Sequence, residues 1–325
     1  MARVGVSGIG SIGLRHARLL VELGVEVVLH DARPQGLELP PELEASAHWV
    51  TSFDDLLESV VDGVVVATPD HVHVGQVSAA CARGVPVLVE KPVADTLAAA
   101  RSLETVAETG VAPILVGYVL RYVSVLRRAR ELVAVGAIGP VASVAATLGA
   151  YETLELARNR FDGDRRFRIL VDYSHEWDYL RWIVGPIERV AAVAHLAEGR
   201  PLQQDPNVVD GVLAFEGGAS GTFHIDYVRS PGKRSFTLIG TKGTLAVDVG
   251  RGELELRVYG EDAPVVEQLA EPRDASFVRQ LQHFLAVMRG DERPDVTLQD
   301  GLRALAVAEA IEASCTSGVW VDVDR

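Results

Sequence analysis

Four groups of residues in this chain have types and spacings that could do chemistry. Gly8-Ile9-Gly10-Ser11-Ile12-Gly13 is a glycine-rich turn, with Asp31 downstream. Thr68-Pro69-Asp70-His71-Val72-His73 joins a hydroxyl, an acid and two imidazoles. Glu90-Lys91-Pro92 sets a lysine after an apolar run. Asp172, His175 and Asp178 recur every three residues in Asp172-Tyr173-Ser174-His175-Glu176-Trp177-Asp178-Tyr179.

The glycine turn fits a dinucleotide. Gly8 lets the chain turn sharply off a strand, Gly10 lets backbone approach a pyrophosphate, and Gly13 lets a helix lie close to the sheet. The N–H groups at that helix start, Ile9 to Ile12, offer donors and partial positive charge to phosphates. Asp31 can accept from both ribose hydroxyls, and its charge repels a 2′-phosphate. That favours NAD over NADP. Arg33 pulls the other way, because a nearby arginine can accommodate the phosphate.

The other groups carry acid–base chemistry. A histidine beside a carboxylate, His175 with Asp172 or Asp178, suits a general base near neutral pH. The bland alternative is a helix-capping acid beside a satisfied histidine. No further His or Cys cluster completes a metal site around this trio, so none is expected. Lys91 is costly inside a parallel sheet unless it reaches a cleft or a partner. Its alternative is an exposed lysine at a strand end.

The elements around these groups alternate. Val4–Ser7 reads as a buried strand, Ser11–Leu23 as a helix closed by Gly24, and Glu26–His30 as a second strand. Short strands follow at 48–50, 63–67, 87–90 and 114–116, with helices at 72–83 and 96–109. This is a doubly wound parallel α/β sheet, with ligands at the carboxyl ends of its strands. That places Thr68, Pro69 and His73 beside the nicotinamide end of a dinucleotide. After a helix at 123–135 the pattern changes to strands with short turns: 141–149, 190–194, 208–215, 221–228, 236–239, 244–248 and 253–258. They predict a large, mostly antiparallel sheet, interrupted by a helix at 171–183 and followed by helices at 276–289 and 298–317. The expected domains are 1–117 and 118–325, packed together with a cleft between them, the C-terminal helices returning to the first.

The chain has 325 residues, 48 % hydrophobic, enough for two cores, and a formal net charge of −14. That charge argues against nucleic acid or an anionic membrane as partner. No apolar run spans a bilayer, and the N-terminus enters a strand with no room for a secretory signal. Cys81 and Cys315 lack metal-ligand spacing and read as buried thiols, so a cytoplasmic location is expected.

Taken together, these motifs resemble the Gfo/Idh/MocA oxidoreductases, the glucose–fructose oxidoreductase and inositol dehydrogenase family. The resemblance runs through the glycine turn with Arg15-His16, Ala67-Thr68-Pro69-Asp70 with His73, and Glu90-Lys91-Pro92. It continues through Gly117-Tyr118 with Arg121, Gly136-Ala137-Ile138-Gly139, the Asp172–Asp178 segment and Gly240-Thr241-Lys242-Gly243-Thr244-Leu245. It implies an N-terminal Rossmann domain and a C-terminal α+β domain with an open sheet, whose outer face makes homodimers or homotetramers. It implies NAD(P)-dependent transfer of a hydride to or from a sugar, cyclitol or related small molecule. Lys91 maps to the family's lysine, His175 to its catalytic histidine and Asp172 to the acid before it. Glu90 falls with Lys91 among the cofactor-binding residues, and Tyr118 and Arg121 among the substrate-binding ones; Arg168 joins the latter from the arginine-rich stretch before Asp172, not from the resemblance. The Lys91–Pro92 bond is often cis in the family.

Two departures stand out. The family's Asp-x-Gly-x-His has become Asp172-Tyr173-Ser174-His175, one step shorter and without its glycine, as in a subgroup reading D-L-S-H-E-x-D-Y-L. The glycine run that usually precedes it is Phe167-Arg168-Ile169-Leu170 here. Arg158, Arg160, Arg165, Arg166 and Arg168 crowd this stretch; they are either a solvated loop or a basic rim for an anionic substrate. Two other functions fit the same scaffold: an NAD-binding sensor without turnover, and NAD-assisted glycoside cleavage.

Overall fold

A computed structural model describes residues 2–33, 39–156 and 166–324. By contact the chain divides into two compact units, residues 1–119 with 274–302 and residues 120–273 with 303–325.

The first unit runs β1 (Arg3–Ser7), α1 (Ser11–Glu22), β2 (Glu26–His30), α2 (Pro41–Ser46), β3 (His48–Val50), α3 (Phe53–Glu58), β4 (Gly63–Val66), α4 (Asp70–Ala82), β5 (Val87–Val89), α5 (Leu97–Glu108) and β6 (Ile114–Val116). Its strands are all parallel, in the order β3-β2-β1-β4-β5-β6. The order reverses between β1 and β4, where the loops that follow diverge and leave room for a ligand. Val64, Val65 and Val66 are fully buried. Such uninterrupted β-branched runs suit a parallel strand covered on both faces. Helices α2 and α3 were not expected; each has six residues, too few for an apolar period to show. Helix α4 starts two residues early, at Asp70, because Pro69 opens it and an acid suits a first turn.

The second unit follows with α6 (Ser124–Ala134), β7 (Val141–Gly149), α7 (Glu152–Leu156), α8 (Arg168–Asp172), α9 (Ser174–Val184), β8 (Ile187–His195), β9 (Val208–Phe215), β10 (Ser220–Asp226), β11 (Lys233–Gly240), β12 (Gly243–Asp248), β13 (Glu253–Val258) and β14 (Val265–Gln268). The single helix expected over 171–183 is two, broken at Tyr173. Residues 274–302 return to the first unit with α10 (Ala275–Met288), and α11 (Leu298–Ser317) leads into β15 (Val321–Asp322). The nine strands are ordered β14-β13-β12-β11-β7-β10-β9-β8-β15. Among the described residues of this sheet, only β7 and β10 pair in parallel. One face of this sheet holds the core, where Trp177 meets Phe223 edge-on at 5.0 Å and Tyr179 meets Phe236 at 5.4 Å. Alternation along β10 buries Phe223 and Ile225 and turns Thr222 and His224 to the other face.

Burial pushes the Cys81 thiol up to about 11, and burial with Glu312 nearby does the same for Cys315. Among the described residues no helix is long and apolar enough to cross a membrane, and no group of three His, Cys, Asp or Glu side chains is placed to hold a metal ion.

His224 ties β10 to β9. Its Nδ1 lies 2.8 Å from Asp210 and its Nε2 2.9 Å from Asp226. Burial lowers the imidazole's pKa, but the two carboxylates outweigh it and the net shift is upward from 6.5. A raised native pKa gives stability that is full below the unfolded value and fades as pH rises through the native one. The stability margin of wild type over His224→Asn should therefore be largest below pH 6.5 and shrink on the alkaline side, read from urea midpoints. A margin that grows with pH would contradict this.

Candidate active site

The first unit sets a nucleotide cradle. Gly8 has φ +88°, and a Cβ there would lie 2.6 Å from the Ala67 carbonyl oxygen and 2.7 Å from the Thr68 nitrogen. A Cβ at Gly13 would lie 1.7 Å from the Gly8 carbonyl oxygen. Neither glycine can be replaced without moving backbone. A Cβ at Gly10 would meet nothing within 4 Å. Helix α1 begins there with no side-chain cap and no acid in its first turn. Open space over uncapped N–H groups, at Ser11 and Ile12 among others, fits a pyrophosphate. Asp31 is fixed beside it. Its Oδ2 accepts from the Ile9 N–H at 2.7 Å and its Oδ1 from the Arg33 N–H at 2.8 Å. Each oxygen keeps a second acceptor site for a ribose hydroxyl. The Arg33 side chain belongs to an exposed residue.

A buried polar chain holds these loops in register. Thr68 donates to Gln76 Oε1 at 3.0 Å, Gln76 donates to Ser7 Oγ at 2.9 Å, and Ser7 donates to His30 Nδ1 at 3.0 Å. Burial holds that imidazole below its ordinary pKa, against the pull of Asp31 and Asp55. His73 was expected to bind cofactor. It is instead turned inward, 1 % exposed, with Nε2 2.8 Å from the Thr68 carbonyl and Nδ1 2.9 Å from the Pro92 carbonyl. Each ring nitrogen faces a backbone carbonyl and the neutral ring's single N–H donates to one of them, so the side chain packs against the Thr68 and Pro92 backbone rather than lining the cradle. Burial pushes its pKa down, against those carbonyls.

Lys91 leaves β5 directly, and the Lys91–Pro92 peptide is cis. Glu90 reaches across to α1, where its Oε1 lies 2.8 Å from His16 Nε2. Its Oε2 accepts from the Lys91 N–H at 3.3 Å. Gly117 permits this, since a Cβ there would lie 3.0 Å from the Glu90 carboxylate. Tyr118 is fully buried.

In the second unit, α8 and α9 present Asp172, His175 and Asp178. Asp172 accepts from Arg168 Nε at 3.0 Å and from the Tyr227 hydroxyl at 2.7 Å. Asp178 takes Arg121 bidentately, at 2.8 and 2.5 Å. Glu176 holds Arg234 at 2.7 Å. Arg121 is 5 % exposed and Asp178 1 %. Arg121, expected to bind substrate, is thus a buried counterion. Arg168 reaches Asp172, and Arg166 lies 3.6 Å from Asp205. Arg158, Arg160 and Arg165 lie outside the described residues. His175 is half-buried.

Sequence reasoning missed Gln76, Tyr227 and Arg234. Tyr227 continues the inward alternation of Phe223 and Ile225, which could have pointed to it. Gln76 had a weaker signal, an amide among the apolar positions of α4. Nothing local marked Arg234 as the partner of an acid 58 residues away.

These two units define a nucleotide-binding oxidoreductase of two-domain type. Residues 2–118 match the model of the oxidoreductase family with NAD-binding Rossmann fold, and residues 126–246 that of the GFO/IDH/MocA C-terminal domain. The chain belongs to the Gfo/Idh/MocA family. It is 26 % identical to the rhizopine catabolism protein MocA of Rhizobium meliloti, over 95 % of this chain and 93 % of that one. It is 30 % identical to inositol 2-dehydrogenase 2 of Paenarthrobacter aurescens, over 97 % and 96 %. Its fold is similar to that of an oxidoreductase from Agrobacterium radiobacter solved with NAD+, L-tartaric acid and magnesium, with a TM-score of 0.88 at 20 % identity, over 99 % and 98 % of the chains.

The two arginine pairs should separate on stability. Arg121→Met leaves a buried carboxylate without its bidentate partner and should cost about 3–5 kcal/mol. Arg168→Met, at a partly exposed pair, should cost about 1 kcal/mol or less. Urea unfolding measures both; equal losses would remove the distinction.

Proposed function

We propose that this protein is an NAD-dependent dehydrogenase that interconverts a secondary hydroxyl and a ketone on a sugar or cyclitol. The observation that carries the reading is the start of α1. It is uncapped, has open space above Gly10, and carries a fixed carboxylate, Asp31, beside it. The similarity to an inositol dehydrogenase supports the substrate class.

Backbone from Gly8 to Ile12 would hold the pyrophosphate, Asp31 the adenosine ribose, and Thr68 and Pro69 the far end of the dinucleotide, while the Glu90 carboxylate is turned to His16 and the Lys91 N–H. The nicotinamide, when bound, supplies the acceptor for a hydride. Lys91 donates a hydrogen bond to the reacting oxygen and stabilises its developing negative charge. His175 takes the hydroxyl proton at an imidazole nitrogen. Asp172 is the acid that supports the imidazolium. Both acids accept at each oxygen, but Asp178 is neutralised by a buried bidentate arginine whereas Asp172 is held by a neutral phenol and a partly exposed arginine, which favours Asp172 for that role. Arg168 and Tyr227 hold Asp172 in a single orientation.

The charge of Asp31 sets NAD above NADP. No side chain at 31 other than an acid would both anchor the Ile9 and Arg33 N–H groups and repel a 2′-phosphate. Asp31→Ser should raise the NADP/NAD ratio of kcat/KM by about tenfold or more. An unchanged ratio would place the discrimination elsewhere.

A panel of polyols, sugars and sugar acids with NAD and with NADP, followed at the absorbance of reduced nicotinamide, tests the function itself. Turnover with NAD is expected for at least one neutral sugar or cyclitol. On that substrate, His175→Ala and Lys91→Ala should each lower kcat by about 10²–10⁴. Tight NADH binding with no turnover across the panel would overturn the enzymatic reading.

A further inference from the structure

One buried imidazole of the first unit has no part in the scheme above. His16 sits in the second turn of α1 and is fully buried. Its ring lies edge-on to Phe277 of α10, with centroids 5.5 Å apart. Its Nε2 is 2.8 Å from Glu90 Oε1. Its Nδ1 is buried and meets no hydrogen-bond partner among the described residues. A proton on Nδ1 would be a buried N–H without an acceptor, so the geometry assigns the proton to Nε2, which donates to Glu90.

Glu90 passes that constraint to its neighbour. Its second oxygen accepts from the Lys91 N–H at 3.3 Å. The Glu90 Cα and carboxylate both lie 3.0 Å from where a Cβ on Gly117 would stand, so β6 closes the other side. On the far side of Lys91, the Pro92 carbonyl lies 2.9 Å from the buried Nδ1 of His73 and packs against that ring. The lysine therefore projects from a backbone pinned before and after it. The pin before it comes from α1, the helix whose first turn forms the pyrophosphate cradle.

We propose that His16 is a positioning residue: its Nε2–H fixes Glu90, and through Glu90 the backbone that carries Lys91. One helix then both grips the dinucleotide and sets the group that polarises the reacting oxygen. The inference rests on the reading of Lys91 as that group. It differs from it in assigning α1 a role in catalysis that is separate from cofactor affinity.

The test uses the full chain with His16→Leu, His16→Gln, Glu90→Gln and Lys91→Ala. Three quantities are read: kcat with NAD, NADH affinity by fluorescence titration, and the pH dependence of Lys91 acylation by acetic anhydride, followed by mass spectrometry. His16→Leu should lower kcat about tenfold or more, as expected when a reacting group is misplaced. Its NADH affinity should stay within about threefold, because the cradle N–H groups are untouched. The midpoint of Lys91 acylation should move by about half a pH unit or more as the lysine's surroundings change. His16→Gln, whose amide can donate from the same place, should recover most of kcat and the wild-type acylation profile. If His16→Leu does not fold, Glu90→Gln decides by the same acylation midpoint.

An unchanged acylation profile and a kcat within about twofold of wild type in folded His16→Leu would overturn the proposal. So would equal losses in His16→Leu and His16→Gln, or a loss of kcat matched by a loss of NADH affinity. If Lys91→Ala itself keeps full turnover, the assignment of Lys91 fails instead. The acylation profile of the His16 variants still reports whether α1 controls that lysine.

Discussion

The first unit depends on one close approach, that of α1 to the crossing of β1 and β4. The Gly8 carbonyl stands where a Gly13 side chain would be, and Ala67 closes on Gly8 from the next strand. Only glycine at both places lets the helix lie this low. Its consequence is positional. A helix one side chain higher would aim its first N–H groups away from the strand ends, and its second turn would not bring His16 to Glu90. The affinity of the cradle and the geometry of the lysine turn thus share a single steric origin.

Around that contact the molecule places polar groups where a Rossmann core is usually apolar. Ser7, His30, Gln76 and Thr68 form a continuous run of hydrogen bonds across the carboxyl ends of β1, β2 and β4. Each bond is worth little net, yet each group would be costly to bury alone. Such a run has one arrangement that satisfies every member. It fixes the register of the loops more sharply than apolar packing would, because a slip of one strand would orphan several donors at once. His73 lies between the next pair of loops, with one ring nitrogen facing the Thr68 carbonyl and the other the Pro92 carbonyl.

How much of this was legible in the sequence follows from range. The glycine turn, the acid at 31, the parallel strands and most strands of the second sheet are local patterns and lie where those patterns indicated; β14 was not expected, and β8 and β11 start three residues earlier than their patterns. Local patterns also showed that 72–82 and 124–134 are helical. What failed was what depends on distant partners. His73 has the type and position of a ligand-facing residue, but two carbonyls from separate loops turn it inward. The break at Tyr173 was invisible because the apolar spacing runs on through it, while the Tyr173 hydroxyl is drawn to Ala150, Thr153 and Asp226. At Phe167 the backbone takes φ +60°, a conformation that glycine adopts more readily. Nothing in the local sequence signalled it, and burial of the phenyl ring against distant residues holds it there.

The acids of α8 and α9 show why spacing alone could not assign the catalytic pair. Asp172, Glu176 and Asp178 read as a face of carboxylates around a histidine. In the fold each answers a different arginine: Arg168 from the same helix, Arg234 from β11 and Arg121 from the turn before α6. Two of these acids, Glu176 and Asp178, are buried, and their arginines neutralise charge that the interior would otherwise not hold. Their pairing fixes the rotation of α9 against the sheet, since turning the helix by one residue would break both. The same rotation determines which way His175 is presented. Asp172 differs from the other two, because one of its partners is a neutral phenol and its arginine is partly exposed. That difference in partners is what sets Asp172 apart from Asp178 in the proposed role of supporting the imidazolium.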